Sequence, residues 1–241
     1  MNRQAQGVLL LLLGGAIVKA TVFSDSYLRY VKESLRPFLI AAGVMLVVAG
    51  VMAIVNDLRA PSAENEHHGH DHGGTPHHEP RIGWMLIAPV LGLLLVAPPA
   101  LGAFAAGQSG SAVLQESDLY PPLPEGDPAR ISVLDYATRA VFDKGKSMND
   151  RKVLVTGFLS DGPAGGQVLT RMMLSCCAAD ARPIKVGMAG DAPGGLPNDQ
   201  WVEIIGVYSA RTLEDPVNGV AIPFIEVIEW KRIEPPRNQY E

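Results

Sequence analysis

Three stretches of this 241-residue chain are too apolar to lie on the surface of a water-soluble domain. Gly7–Phe23 has one charge, Lys19, and contains the leucine run Leu9–Leu13. Pro37–Val55 runs 19 residues without a charge, and Ile82–Gly107 runs 26, including Pro89, Pro98 and Pro99. A helix needs about 20 apolar residues to cross the hydrocarbon core, so the second and third are long enough. The first is short, which tilt or local thinning accommodates. As a signal peptide it would have only Arg3 in its leading region and no small-residue cleavage site before the next apolar stretch. Three prolines within 26 uncharged residues also fit a soluble core helix poorly. The expectation is a membrane domain over residues 1–107 with spans at about 7–23, 37–55 and 82–107.

Orientation follows less directly. Lys19, Arg29, Lys32 and Arg36 lie between the first two spans, while Arg3 precedes them and Arg59 and Arg81 follow. The positive-inside rule applied to the first loop puts the C-terminal half in the cytoplasm; applied to the third span, with Arg81 before it and no Lys or Arg from Ile82 to Ala129, it puts that half outside. The positive-free stretch and the short N-tail favour an extracytoplasmic C-terminal half.

All six histidines fall between the second and third spans, in Glu64–Glu79. His67, His68, His70, His72, His77 and His78 stand there with Asp71, three other acids and three glycines. Neutral imidazole is a common ligand for Zn, Ni, Co and Cu, and glycine lets the backbone wrap an ion. No fixed tetrahedral spacing is present, so the stretch reads as a low-specificity metal collector with zinc the default ion. The competing reading is a polar loop whose histidines respond only to pH.

Residues 111–241 carry the whole net charge of -5, which argues against a nucleic-acid binder. Residues 108–130, with Tyr120-Pro-Pro-Leu-Pro-Glu-Gly-Asp-Pro128, read as a proline-stiffened linker. Ser132-Val-Leu-Asp135 opens a helix to about Asp143 with Gly145 as its stop and Val133, Leu134, Ala137, Val141 and Phe142 as its apolar face. Five strand-like runs follow: Arg151–Ser160, Gln167–Cys176, Pro183–Met188, Trp201–Ser209 and Ile222–Arg232. Gly157 and Gly206 fall mid-strand, where barrels coil sharply. The fold class expected is membrane-anchored α + β: three transmembrane helices, then a small OB-like β-barrel with one helix over 131–235 and a tail at 236–241. A twisted sheet with the helix packed on it is the rival.

Within Arg171-Met-Met-Leu-Ser-Cys-Cys177, strand alternation would point Met172, Leu174 and Cys176 inward and Cys177 outward. Joint use of Cys176 and Cys177 on one metal then requires a bulge or turn after Ser175. Two neighbouring thiols make a soft-metal or redox site, with Asp180, Arg182 and Lys185 near enough in sequence to complete it. The plainer reading is a buried Cys176 filling the core. No histidine in this half offers a base for a catalytic cysteine, so no enzyme is expected.

Short N-terminal spans, a His-rich loop, Val153-Leu-Val-Thr-Gly-Phe158, Arg171-Met-Met-Leu-Ser-Cys-Cys-Ala-Ala-Asp180 and Trp201-Val-Glu-Ile-Ile-Gly-Val207 resemble the DUF1980-containing, YcgQ-like family of bacterial membrane proteins, described as permease subunits. The resemblance implies a separate multi-spanning permease as partner, an inner-membrane location and a role in metal handling. It supplies no catalytic residues. The function expected is an accessory subunit of a permease for a divalent, zinc-like ion, collected by the His loop and met by Cys176 and Cys177. A metal sensor or store and a tethered thiol-redox protein are the alternatives.

Overall fold

The computed structural model describes residues 3–59, 99–117 and 119–241. The chain forms two compact units, one holding the N-terminal helices and one formed by Leu28–Lys32 with Ala100–Glu241.

In the first unit, α1 (Arg3–Val18) continues through one widened turn, Lys19–Phe23. Helix α2 (Arg36–Arg59) has Pro37 in its first turn, where no amide partner is lost, and Arg59 in its last, opposite the negative dipole end. The helices pair through glycines seven residues apart. A β-carbon on Gly14 would lie 2.8 Å from the Gly43 carbonyl oxygen, and one on Gly50 would lie 2.9 Å from that of Gly7. Small residues let helix backbones approach where lipid offers no hydrophobic drive to association. The remaining surface is also apolar, with Phe38 69% and Met45 72% exposed. Both helices are long and apolar enough to cross a membrane.

Two such helices, rather than the three expected, occur among the described residues. The His-rich stretch 64–79 and residues 82–98 of the third expected span lie outside them. The end of that span is corrected, because Ala103–Gln108 forms a short helix, α3, of the C-terminal unit. Its Ala103 and Ala106 are buried against Phe158, Met172, Trp201 and Tyr240. Small residues with one aromatic neighbour pack on a protein surface as readily as in lipid, so composition alone overextends the span.

The C-terminal unit is a closed five-stranded barrel. Strands β2 (Val153–Asp161), β3 (Gln167–Met173) and β4 (Arg182–Gly190) form an antiparallel meander. β4 then pairs in parallel with β6 (Ala221–Arg232), β6 with β5 (Trp201–Glu214), and β5 with β2, closing the ring. That closure excludes the open twisted sheet. Both mid-strand glycines sit where backbones crowd. A β-carbon on Gly157 would lie 2.7 Å from the Thr170 carbonyl oxygen, and Gly206 lies at a register shift between β5 and β6.

Helix α4 (Val133–Val141) starts where expected, the Ser132 hydroxyl accepting from the Asp135 amide at 2.9 Å. Its buried face is Val133, Tyr136, Ala137 and Ala140, with Arg139, whereas Val141 and Phe142 stay half-exposed. The rotation lets the Tyr136 hydroxyl donate to the Phe224 carbonyl at 2.6 Å. Residues 108–117 and 119–130 run along the barrel, burying Ala112 and Leu123 and adding a two-residue strand, β1 (Ala129–Arg130), beside β2. The tail is inserted as well: the Glu241 amide donates to Met172 O, the Leu174 amide donates to Glu241 O, and the Glu241 carboxylate accepts the Val133 and Leu134 amides at the start of α4.

Candidate functional site

Strand β3 stops at Met173, and the chain turns through Ser175–Asp180, ending in the short helical turn Ala178–Asp180. The turn exists because one carboxylate gathers it. Asp180 accepts the Ser175 amide at 3.1 Å on Oδ1 and, on Oδ2, the Cys176 amide at 2.8 Å and the Cys176 thiol at 2.9 Å. This is the turn after Ser175 that joint use of both thiols requires. One ligand atom each from Cys176, Cys177 and Asp180 lie within 4.8 Å of one another. Cys176 is exposed and Cys177 half-buried, so the reading of Cys176 as a core filler is overturned. The strand ends at Met173, three residues too early for that reading.

The electrostatics follow from this geometry. The Asp180 hydrogen bond, then that of Cys177, pushes the Cys176 thiol up to about 11. Donation from the same thiol holds the Asp180 carboxyl below the ordinary carboxylate range. Without a cation, Cys176 is a protonated thiol beside a carboxylate, a poor nucleophile. A divalent ion displacing that proton would meet two thiolate sulfurs and a carboxylate oxygen. Thiolates about 2.3 Å from zinc in a tetrahedron lie about 3.8 Å apart, so side-chain rotation suffices to close the set. Exposure leaves a fourth position to water or a ligand from elsewhere.

Of the other polar residues near in sequence, Arg182 is exposed at the start of β4 and Lys185 faces elsewhere. Lys185 Nζ lies 2.9 Å from Asp215 Oδ2 and 3.1 Å from the Ser109 carbonyl, in a buried network that also takes the amide and hydroxyl of Ser111. Burial raises the Asp215 carboxyl, but the bonds from Ser111, Val217 and Lys185 outweigh it and hold it at about 2. This pair lines a cavity of about 530 Å³ with Phe104, Asp161, Asn198 and Asp199. Both charges are satisfied by the chain itself.

The family model of the DUF1980 C-terminal domain matches residues 137–241. No curated protein and no solved structure matches the chain. The matched DUF1980 domain holds Cys176, Cys177, Asp180 and all five barrel strands, whereas β1 and Leu28–Lys32 lie outside it. Of the nine metal-ligating residues expected, the structure brings together Cys176 and Cys177 and adds Asp180. His67, His68, His70, Asp71, His72, His77 and His78 lie outside the described residues. The contribution of Leu28–Lys32 carries no sequence signal: Val31 forms a bridge with Cys177, the Lys32 amide donates to Cys176 O at 3.1 Å, and the Ala178 amide donates to Tyr30 O at 2.7 Å.

Proposed function

We propose that this DUF1980 protein is an accessory subunit of a multi-spanning membrane permease that handles a thiophilic divalent ion, zinc first. The observation that carries this reading is the convergence of Cys176, Cys177 and Asp180 on one exposed turn. Two sulfurs and one oxygen suit zinc better than magnesium or calcium, which take oxygen sets. The glycine-paired helices supply the membrane anchor, and their lack of any Asp, Glu, Lys or Arg between Gln4 and Val18 and between Pro37 and Asn56 calls for a partner to carry the ion. We read the barrel as OB-like, supported by the parallel β4–β6 step within an otherwise antiparallel ring, and as extracytoplasmic, supported by the absence of Lys and Arg from Ile82 to Ala129. The His-rich stretch 64–79 collects ions and the barrel contacts the permease. The Asp180 carboxylate 2.9 Å from the Cys176 sulfur, which favours the thiol over the thiolate, speaks against the thiol-redox alternative.

Equilibrium dialysis of the full-length protein in detergent against zinc tests the reading. The wild type is expected to bind at micromolar free zinc, and Cys176→Ala with Cys177→Ala removes one class of site. If the double variant binds as many ions as tightly as the wild type, the barrel turn has no part in metal handling.

A further inference from the structure

Strand β3 outlasts its neighbour. Its pairing with β2 ends at Thr170, opposite Phe158, while its pairing with β4 continues to Met173. One edge of β3 is therefore left without β2 from Arg171 onward, and an unpaired edge is a template for another strand. The tail takes it. Tyr240 bridges Met172 in parallel, the Glu241 amide donates to Met172 O and the Leu174 amide donates to Glu241 O, both at 2.9 Å. Tyr240 is buried among Phe158, Met172, Leu174 and Trp201. The residues that lead to it from β6 include Glu234, Pro235, Arg237 and Asn238, all exposed. Two residues are thus inserted at the end of a mostly exposed run.

The socket that receives Glu241 is built to hold negative charge. The Val133 and Leu134 amides at the start of the nine-residue α4 donate to Oε1 at 2.9 Å and to Oε2 at 2.8 Å. Arg171, 8% exposed, lies over the Trp201 ring at 4.8 Å and faces the same carboxylate, its Nε 3.8 Å from Oε1. Its Nη2 donates to Asn238 O at 2.8 Å, so among the described residues both polar partners of this guanidinium belong to the tail. Nε and Nη1 are buried without a hydrogen-bond partner. Burial raises the Glu241 carboxyl and lowers the Arg171 guanidinium, so neither charge is fully matched. In an extended segment the residues on either side of an aromatic one share a face. The tail has Gln239 and Glu241 there, one acid where the donors suit two. We infer that this socket is the docking site for an extended segment of a partner protein, an aromatic residue flanked by two acidic ones, and that Tyr240–Glu241 occupies it until that segment docks. The aromatic ring takes the place of Tyr240, one carboxylate takes the α4 amides, and the other takes the free nitrogens of Arg171. Strand addition along Met172–Leu174 supplies the backbone bonds. The inference goes beyond the zinc reading and does not depend on it.

The test uses the full chain in detergent, without metal, and two fluorescein-labelled peptides with blocked ends, Asn-Glu-Tyr-Glu and the tail's own Asn-Gln-Tyr-Glu. Fluorescence anisotropy is expected to show the first binding at least about tenfold more tightly, the value of one added charge-assisted hydrogen bond. Tyr240→Ala with Glu241→Ala removes a competitor held at high effective concentration and is expected to tighten binding by about tenfold or more. Arg171→Met in that background should abolish the preference for the acidic peptide. Binding of neither peptide to a tail-weakened chain that keeps its circular dichroism overturns the inference and leaves the tail as a brace of the barrel. Equal binding of both peptides also overturns it, since the tail of a second copy would then fit as well as an acidic partner. If the tail-weakened chain does not fold, hydrogen exchange of the native chain decides. The Val133, Leu134 and Leu174 amides are expected to exchange together, at least about tenfold faster than the amides pairing β3 with β4. Exchange of those three only with unfolding of the whole barrel would show that the tail never leaves.

Discussion

Replacing Asp180 by Asn, in a Cys177→Ser background that leaves one thiol, tests whether this carboxylate keeps Cys176 protonated. In the native turn Oδ2 accepts the thiol proton at 2.9 Å, and the titration midpoint stands at about 11 against an ordinary 9.0. The amide in Asp180→Asn carries no charge, so the midpoint falls back towards the ordinary value. Cys177→Ser already removes the share of the shift that Cys177 contributes, so a return over the full span, about a hundredfold in thiolate population at pH 8, is the upper bound. The less basic thiolate is also less nucleophilic, by about sevenfold to tenfold for a fall of that size. The net expectation is a rise of up to about tenfold in the rate of alkylation by iodoacetamide at pH 8. The profile should differ in shape as well as height. With Asp180 present the rate keeps climbing about tenfold per pH unit through pH 10, while Asp180→Asn levels off near pH 9 to 10. A rate that already levels off below pH 9 with Asp180 in place would refute the reasoning.

Three further outcomes follow from the packing. Asp215→Ala leaves the Lys185 ammonium buried without its partner and is expected to cost about 3–5 kcal/mol in urea unfolding followed by Trp201 fluorescence; a loss below about 1 kcal/mol would show that water reaches the pair. The Asp215 carboxyl titrates at about 2 in the folded barrel, below its unfolded value, so its contribution is present above about pH 4 and is lost as pH falls towards 2. That loss is on the order of 2 kcal/mol, and Asp215→Asn should flatten the acid limb of stability against pH. Gly157→Ala places a methyl against the Thr170 carbonyl, 2.7 Å away before relaxation, and should cost about 1–3 kcal/mol in the same unfolding measurement; an unchanged midpoint would mean that the two strands separate freely.

Much of the barrel was legible from local signals. β-Branched and aliphatic runs bounded by Gly, Pro and Asp marked all five strands, and Ser132 with Asp135 marked the start of α4. The thiol turn was half legible. Cys176-Cys177 announces a thiol pair, but alternation carried past the strand's real end at Met173 hides Cys176 in the core. The signal that corrects it is Asp180, four residues on, whose carboxylate takes the amides that a continuing strand would have spent on a neighbour. The segment read as a linker carries Ala112 and Leu123 into the core, although its prolines and glycines describe only its stiffness. Nothing in Leu28–Lys32 announces a bridge to Cys177, since a five-residue stretch between apolar helices pairs with whatever edge the fold offers.

The amino-acid sequence by itself determined the apolar helices, the strand content, the confinement of all six histidines to one stretch and the similarity of residues 137–241 to the DUF1980 C-terminal domain. These are properties of local periodicity and composition, which act over a few residues. Only the tertiary structure decided that five strands close into a ring, that Asp180 joins the thiols, and that Lys185 turns instead to Asp215. Each of those depends on which distant segments meet, and that is set by competition for buried surface and unpaired backbone groups across the whole chain.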